Sequence, residues 1–133
     1  MHKREERRKP MIVTLIHLLS LSYYIHNVYQ KHDVLFIIML MIAISIGIIL
    51  IITEFWKISV HAAGFGGVMG TLFYLYSYEN TINLPLLLSF ILITILLMLS
   101  RVVLNAHNYA QLIIGFLLTF TLSFYSSLIF IGR

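Results

Sequence analysis

Residues 34–53 read VLFIIMLMIAISIGIILIIT, twenty consecutive positions without a charged side chain. A helix needs about 20 apolar residues to cross the hydrocarbon core of a bilayer, because each residue adds about 1.5 Å along its axis. Backbone amides must be hydrogen-bonded internally in lipid, and the run lacks the polar–apolar alternation of a barrel strand. A transmembrane helix is therefore predicted here.

The rest of the chain has the same character. It has 133 residues, of which 60% are hydrophobic and 11% charged, and its mean hydropathy is +0.96. A soluble domain is about a quarter charged, so a soluble globular fold is excluded. We predict an all-α, polytopic integral membrane bundle of about five transmembrane helices, as a single domain over residues 1–133. The predicted spans are 11–28, 34–53, 62–77, 82–99 and 110–131, and the short gaps between them favour antiparallel neighbours.

Charge is concentrated at the start, in a basic head over residues 1–10. Five spans would place this head and the gaps 54–61 and 100–109 on one side of the membrane, together with seven of the nine Lys and Arg residues. The positive-inside rule assigns that side to the cytoplasm. The head is typical of an anchor to anionic lipid, so the bilayer is the expected partner. No nucleic-acid partner is expected, because no soluble reading surface accompanies the basic residues.

Two segments on that side carry the polar chemistry: EFWKISVH at 54–61 and SRVVLNAHNYAQ at 100–111. Arg101 and Lys57 are phosphate-binding types, one a planar fork and the other a point charge. Ser59 and Ser100 can donate hydrogen bonds to phosphoryl oxygens. This combination of side chains predicts a phosphate site.

The same segments supply two histidines, His61 and His107, which can divide the roles of nucleophile and general acid. No metal or other cofactor is expected, because two histidines with Glu54 as the nearby carboxylate make a poor zinc set. The chain has no cysteine, which excludes thiol catalysis. The glycines at 64–67 lack the ending of a nucleotide-binding loop.

Residues 100–111 resemble the third motif of the type 2 phosphatidic acid phosphatase superfamily, which reads Ser-Arg, five residues, His, three residues, Asp. Gln111 stands at the place of that Asp. Residues 58–61 are similar to the second motif, Pro-Ser-Gly-His, at Ser59 and His61. The first motif, Lys, six residues, Arg-Pro, is matched only at Lys9 and the proline after it. The resemblance covers about residues 54–131.

The resemblance implies metal-independent hydrolysis of a lipid phosphate or diphosphate in a bacterial inner membrane. His107 would attack phosphorus and form a phosphohistidine, and His61 would protonate the leaving alkoxide. Gln111 would orient His107 without supplying the negative charge of an Asp. The phosphate-binding set that the resemblance implies is Arg101, Ser100, Ser59, Lys57 and Lys9.

Two other functions, and the side of the membrane on which the site lies, stay open. The neutral Gln111 and the weak first motif are also typical of a catalytically impaired relative that binds lipid head groups or a membrane partner. A small transporter subunit that uses His17 and Arg101 is the third function. Bacterial members of the superfamily place the site outside the cytoplasm, whereas the charge count places it inside, so both sides remain as expectations.

Overall fold

The computed structural model describes residues 4–28 and 33–131, with side chains for residues 8–28 and 35–131. Within these ranges there are five α-helices and no β-strand, which confirms the all-α prediction. The helices are α1 (Arg4–Val28), α2 (Asp33–Phe55), α3 (Val60–Tyr74), α4 (Leu84–Val103) and α5 (Tyr109–Phe130). In the described part of the chain, α1, α2, α4 and α5 are long and apolar enough to span a membrane. The shorter α3 continues into a π-helical turn, Leu75–Glu79.

All five helices extend past the apolar stretches that predicted them, at one end or at both. The first begins inside the basic head, at Arg4, and α2 continues to Phe55. The fourth continues to Val103 and so includes Ser100 and Arg101, which were predicted in a connecting gap. Hydropathy locates the part of a helix that faces lipid, whereas capping groups decide where the backbone hydrogen bonding stops.

The chain divides into two compact units, with the boundary between Trp56 and Lys57. In the first unit α1 packs on α2. Arg8 Nε lies 3.0 Å from Glu54 Oε1 near one end of the pair, and the rings of His26 and Phe36 are 4.8 Å apart near the other. These contacts join the start of one helix to the end of its partner, so the pair is antiparallel, as the short gap predicts. The single domain over residues 1–133 stays a prediction.

In the second unit α3 packs mainly on α5, through its small residues. A methyl group added at Gly66 would overlap the carbonyl of Phe116, and one added at Gly70 would overlap the carbonyl of Phe120. The two helix backbones are therefore in direct contact along this face. Residue numbers rise together along both helices, so α3 and α5 are parallel. Glycine permits this close packing, because it has no side chain to hold the backbones apart.

One interhelical hydrogen bond reinforces the contact. The buried Thr119 hydroxyl donates to the carbonyl of Ala63 at 2.5 Å. Because α3 and α5 are parallel, α4 must run in the opposite direction to connect the end of one to the start of the other. The beginnings of α3 and α5 and the end of α4 therefore lie at the same end of this unit.

Candidate functional site

The end of α4 is set by an asparagine in the left-handed region. Asn105 has φ 52°. Its amide donates to the carbonyl of Val102 at 2.9 Å, and the amide of Ala106 donates to the carbonyl of Arg101 at 3.0 Å. This pair of bonds is a Schellman motif, which usually has Gly or Asn at the left-handed position. It stops the helix and turns the chain back over its last turn, where Arg101 lies.

The start of α5 follows directly and is closed by a capping box. Asn108 is the N-cap residue, and its Oδ1 accepts from the amide of Gln111 at 2.9 Å. In return Gln111 Oε1 accepts from the amide of Asn108 at 3.3 Å. Reciprocal bonds of this kind pair backbone donors that a helix start otherwise leaves free. Arg101, His107 and Gln111 are thus spaced by two consecutive helix caps, the C-terminal cap of α4 and the N-terminal cap of α5.

Gln111 also holds the imidazole of His107. His107 Nδ1 lies 3.1 Å from Gln111 Oε1. The backbone amide of Asn108 can only donate, so the atom that it contacts must be the carboxamide oxygen. An amide oxygen can only accept, so Nδ1 of His107 must carry the proton. The capping box therefore selects the tautomer in which the lone pair of neutral His107 is on Nε2.

The start of α3 is attached to the same turn of α5. Ser59 is the N-cap residue of α3, and its Oγ accepts from the amide of Ala62 at 3.3 Å. The amide of Ser59 donates to the carbonyl of Gln111 at 3.3 Å. A methyl group added at Gly115 would lie 3.0 Å from the Ser59 carbonyl oxygen, so the helices approach closely here. Ser59 is 0% exposed, so its role in this structure is to cap and dock α3.

His61 lies in the first turn of α3, before the predicted third span, and is exposed. Desolvation by its surroundings and, secondarily, the positive charge of Arg101 lower the pKa of His61 below 6.5. The guanidinium of Arg101 therefore lies within electrostatic range of the imidazole. His61 is therefore mainly neutral at pH 7.

Arg101 is half-buried, and its Nε atom is shielded from solvent. Within the part of the chain that the structure describes, this Nε has no hydrogen-bond acceptor. Buried donors are nearly always hydrogen-bonded, so an unpaired guanidinium nitrogen indicates a position where a ligand could supply an acceptor. An oxyanion is the acceptor that a guanidinium group favours.

The remaining predicted phosphate ligands have other contacts. Lys57 Nζ donates to the carbonyl of Ala106 at 2.6 Å. The Ser100 hydroxyl donates to the carbonyl of Leu97 at 2.7 Å, within α4. Lys9 is an exposed residue of α1, in the first unit. Phosphate binding by these three side chains stays a prediction.

The second unit thus brings together the ends of its helices with His61, Arg101, His107 and Gln111. Among the residues with described side chains, no group of three His, Asp or Glu residues is placed to hold a metal ion. The transporter hypothesis also named His17, whose Nδ1 bonds to the carbonyl of Val13 in its own helix at 3.1 Å.

Sequence reasoning missed two residues that build the site, Asn105 and Asn108. The signal for Asn108 is present in the sequence, since Asn-Tyr-Ala-Gln at 108–111 has the spacing of a capping box. The signal for Asn105 is weaker, because an asparagine after a helical stretch predicts a C-terminal cap only when the end of the helix is known.

Comparison with known proteins adds no relative. No protein-family model, no curated protein and no solved structure matches the chain. The resemblance to the type 2 phosphatidic acid phosphatase superfamily therefore rests on the spacing of Ser100, Arg101, His107 and the Ser59–His61 pair, and it stays a prediction.

Proposed function

We propose that the chain is a membrane phosphatase that hydrolyses a lipid phosphate or diphosphate through a phosphohistidine at His107, in the inner membrane of a bacterium. The observation that carries the proposal is the bond between His107 Nδ1 and Gln111 Oε1. A histidine nucleophile needs one unprotonated ring nitrogen and a fixed ring orientation. The capping box provides both, because it holds the proton on Nδ1 and directs the lone pair to Nε2.

The proposed reaction has two steps. In the first, His107 Nε2 forms a bond to phosphorus, the bond from phosphorus to the lipid oxygen breaks, and His61 gives its proton to the leaving alkoxide. In the second, water attacks the phosphohistidine, the N–P bond breaks, and His61 takes the proton of the water. His61 thus acts first as general acid and then as general base. Phosphate and a lipid alcohol are the products.

Arg101 supports the proposal as the group that stabilises negative charge. Its positive charge acts on His61, and its Nε has no acceptor among the described residues. Charge that develops on phosphoryl oxygens is stabilised most by donors that are already in place and shielded from water. A half-buried guanidinium group meets that requirement better than an exposed ammonium group.

The surface next to Arg101 favours a lipid substrate. Val103 and Leu104 follow it and are 77% and 68% exposed. Exposed side chains of this size are unfavourable in water and favourable against acyl chains. They lie at the end of a helix that is long and apolar enough to span the membrane. A phosphate head group at Arg101 would therefore have apolar protein surface beside its tail.

The proposal is tested by phosphate release. Purified protein in detergent or vesicles is expected to release inorganic phosphate from a lipid phosphate in the presence of a metal chelator. His107→Ala is expected to lower kcat by about a thousandfold or more, as loss of a nucleophile does in other enzymes. His17→Ala is the matched control, because this exposed histidine contacts its own helix. Wild-type protein that releases no phosphate, or His107→Ala with full activity, would contradict the proposal.

The lowered pKa of His61 predicts the pH dependence. The general acid must be protonated in the first step, so kcat/KM is expected to fall as pH rises through the lowered pKa of free His61. The decline should therefore begin below pH 6.5. Arg101→Gln removes one of the two causes of the shift, so it should move this decline to higher pH while lowering the overall rate. A decline at unchanged pH in Arg101→Gln would show that His61 is not the group observed.

A second function, binding of lipid head groups without turnover, is favoured by one observation. Gln111 carries no charge to stabilise the imidazolium that develops when His107 reacts, although it holds the ring in place. A protein of this kind would bind vesicles that contain lipid phosphate and release no phosphate from them. Restoring the charge at position 111 separates the two functions.

A further inference from the structure

One peptide group precedes His107, and both of its polar atoms are hydrogen-bonded. Its carbonyl oxygen belongs to Ala106 and accepts from Lys57 Nζ at 2.6 Å. Its N–H belongs to His107 and donates to the carbonyl of Arg101 at 3.3 Å. A peptide group is planar, so bonds at both of its edges fix its orientation. This plane contains the Cα atom of His107, so the two bonds also fix the position of the atom from which the imidazole side chain extends.

The base of the Lys57 side chain is itself well anchored. The next residue, Ile58, is 2% exposed, and its Cγ1 would lie 3.3 Å from a methyl group added at Gly115. Ser59 follows and is bonded to the carbonyl of Gln111. Lys57 therefore extends from backbone that is docked on α5 to the connection between α4 and α5, across 49 positions of sequence.

The bond from Lys57 is charge-assisted, and it lies at an exposed position. A hydrogen bond from an ammonium group is shorter than one between neutral groups and about twice as strong. Its acceptor lies in a connection of five residues, 104–108, between two helices. The Schellman motif holds one end of that connection and the capping box holds the other. Between them, the side chain of Lys57 comes from outside α4 and α5 and bonds to the peptide group that joins Ala106 and His107.

We infer that Lys57 is a positioning residue, which holds the backbone of His107 in place, and that it is not a ligand of the phosphoryl group. The inference rests on the proposed function for what His107 does, but the contact between Lys57 and Ala106 is independent of it. His107 is then held at three points: its amide by Arg101, its preceding carbonyl by Lys57, and its Nδ1 by Gln111.

Lys57→Met tests the inference, because methionine keeps an unbranched apolar stem of similar reach and loses the donor. We expect hydrogen exchange of the His107 amide, measured by NMR in nanodiscs, to accelerate about tenfold or more, since one of its restraints is gone. We expect kcat to fall between about tenfold and a hundredfold, as misplacement of a reacting group does. KM and the Kd for inorganic phosphate should each change less than about threefold. The reason is that, under this inference, Lys57 does not contact the phosphoryl group, so wild type and Lys57→Met bind it equally well.

Lys57→Arg is the conservative variant. Its guanidinium can donate to the carbonyl of Ala106, so amide protection and kcat should both return to within about threefold of wild type. The amide of Ala63, which donates to the Ser59 carbonyl at 3.0 Å, reports whether α3 remains folded and docked. If Lys57→Met loses protection at Ala63 as well as at His107, the helix has been disturbed and Lys57→Arg becomes the deciding variant. The inference is overturned if the His107 amide loses protection in Lys57→Arg while the Ala63 amide stays protected.

The opposite result is equally clear. A Kd for inorganic phosphate that rises about tenfold in Lys57→Met, with His107 amide exchange unchanged, would make Lys57 a phosphate ligand and overturn the inference. Failure of the proposed function gives a different pattern. Wild-type protein would then release no phosphate, while faster exchange at His107 in Lys57→Met would still establish the positioning contact.

Discussion

Gly66→Ala is expected to separate α3 from α5 and to destabilise the protein by about 3 kcal/mol or more. Overpacking of a tight interior commonly costs about 1–3 kcal/mol, and here the obstacle is backbone. The new methyl group would overlap the carbonyl of Phe116 and lie 2.5 Å from Thr119 Oγ1. Neither helix can relieve the overlap by a rotamer change, so the pair must move apart. The same movement would break the bond from Thr119 to Ala63.

Gly64→Ala is the matched control, in the same helix and with the same chemical change. Nothing lies within 4 Å of a methyl group added at Gly64. Alanine is favoured over glycine in a helix interior by about 1 kcal/mol, so this variant should be as stable as wild type or slightly more stable. The melting temperature in detergent should therefore fall by about 10 °C for Gly66→Ala and should not fall for Gly64→Ala. Equal melting temperatures would show that α3 and α5 do not pack as described.

The second large effect is expected from Gln111→Glu. Glutamate has the same number of side-chain bonds as glutamine and is the usual partner in a capping box. Its carboxylate can accept from the amide of Asn108 and from His107 Nδ1, as the carboxamide oxygen does now. The variant therefore keeps the geometry and adds the negative charge that stabilises an imidazolium. In a Ser-His-Asp triad the loss of that acid lowers kcat about ten-thousandfold.

For Gln111→Glu we expect kcat for phosphate release to rise by at least about tenfold, with the triad effect of about ten-thousandfold as the upper bound. Gln111→Ala is the companion variant, since it removes both side-chain contacts and should lower kcat. If Gln111→Glu stays folded and binds lipid phosphate without a gain in rate, the binding function is favoured over the phosphatase. A loss of rate equal to that of Gln111→Ala would show that His107 does not develop positive charge.

Local patterns in the sequence predicted the helices well. The run at 34–53 and its four companions are apolar, and each coincides with a helix except at the edges, although α3 is not among the four helices that are long and apolar enough to span a membrane. Helix ends were predicted less well, because they depend on caps of a few atoms. Arg101 was assigned to a gap, yet it lies in the last turn of α4 since the left-handed residue comes only at Asn105.

Apart from Asn105 and Asn108, the residues of the candidate site were identified from the sequence, but their contacts in the fold were not. Spacing brought His107 and Gln111 onto one helix start, where neighbours three and four positions apart meet. Nothing local shows that Ser59 is buried beneath α5 or that Lys57 reaches the carbonyl of Ala106. Those facts depend on which helix α3 packs against. The glycines of α3 that contact α5, Gly66 and Gly70, do not by themselves indicate which helix that is.

The sequence by itself determined that this protein consists of apolar helices, because helix formation and hydropathy follow from the identity of residues within about twenty positions of one another. Only the tertiary structure decided that α3 and α5 are parallel and in backbone contact. That arrangement joins Ala63 to Thr119, 56 positions apart, and Lys57 to Ala106, 49 positions apart. Contacts over such separations form only when whole helices dock, so no local pattern contains them.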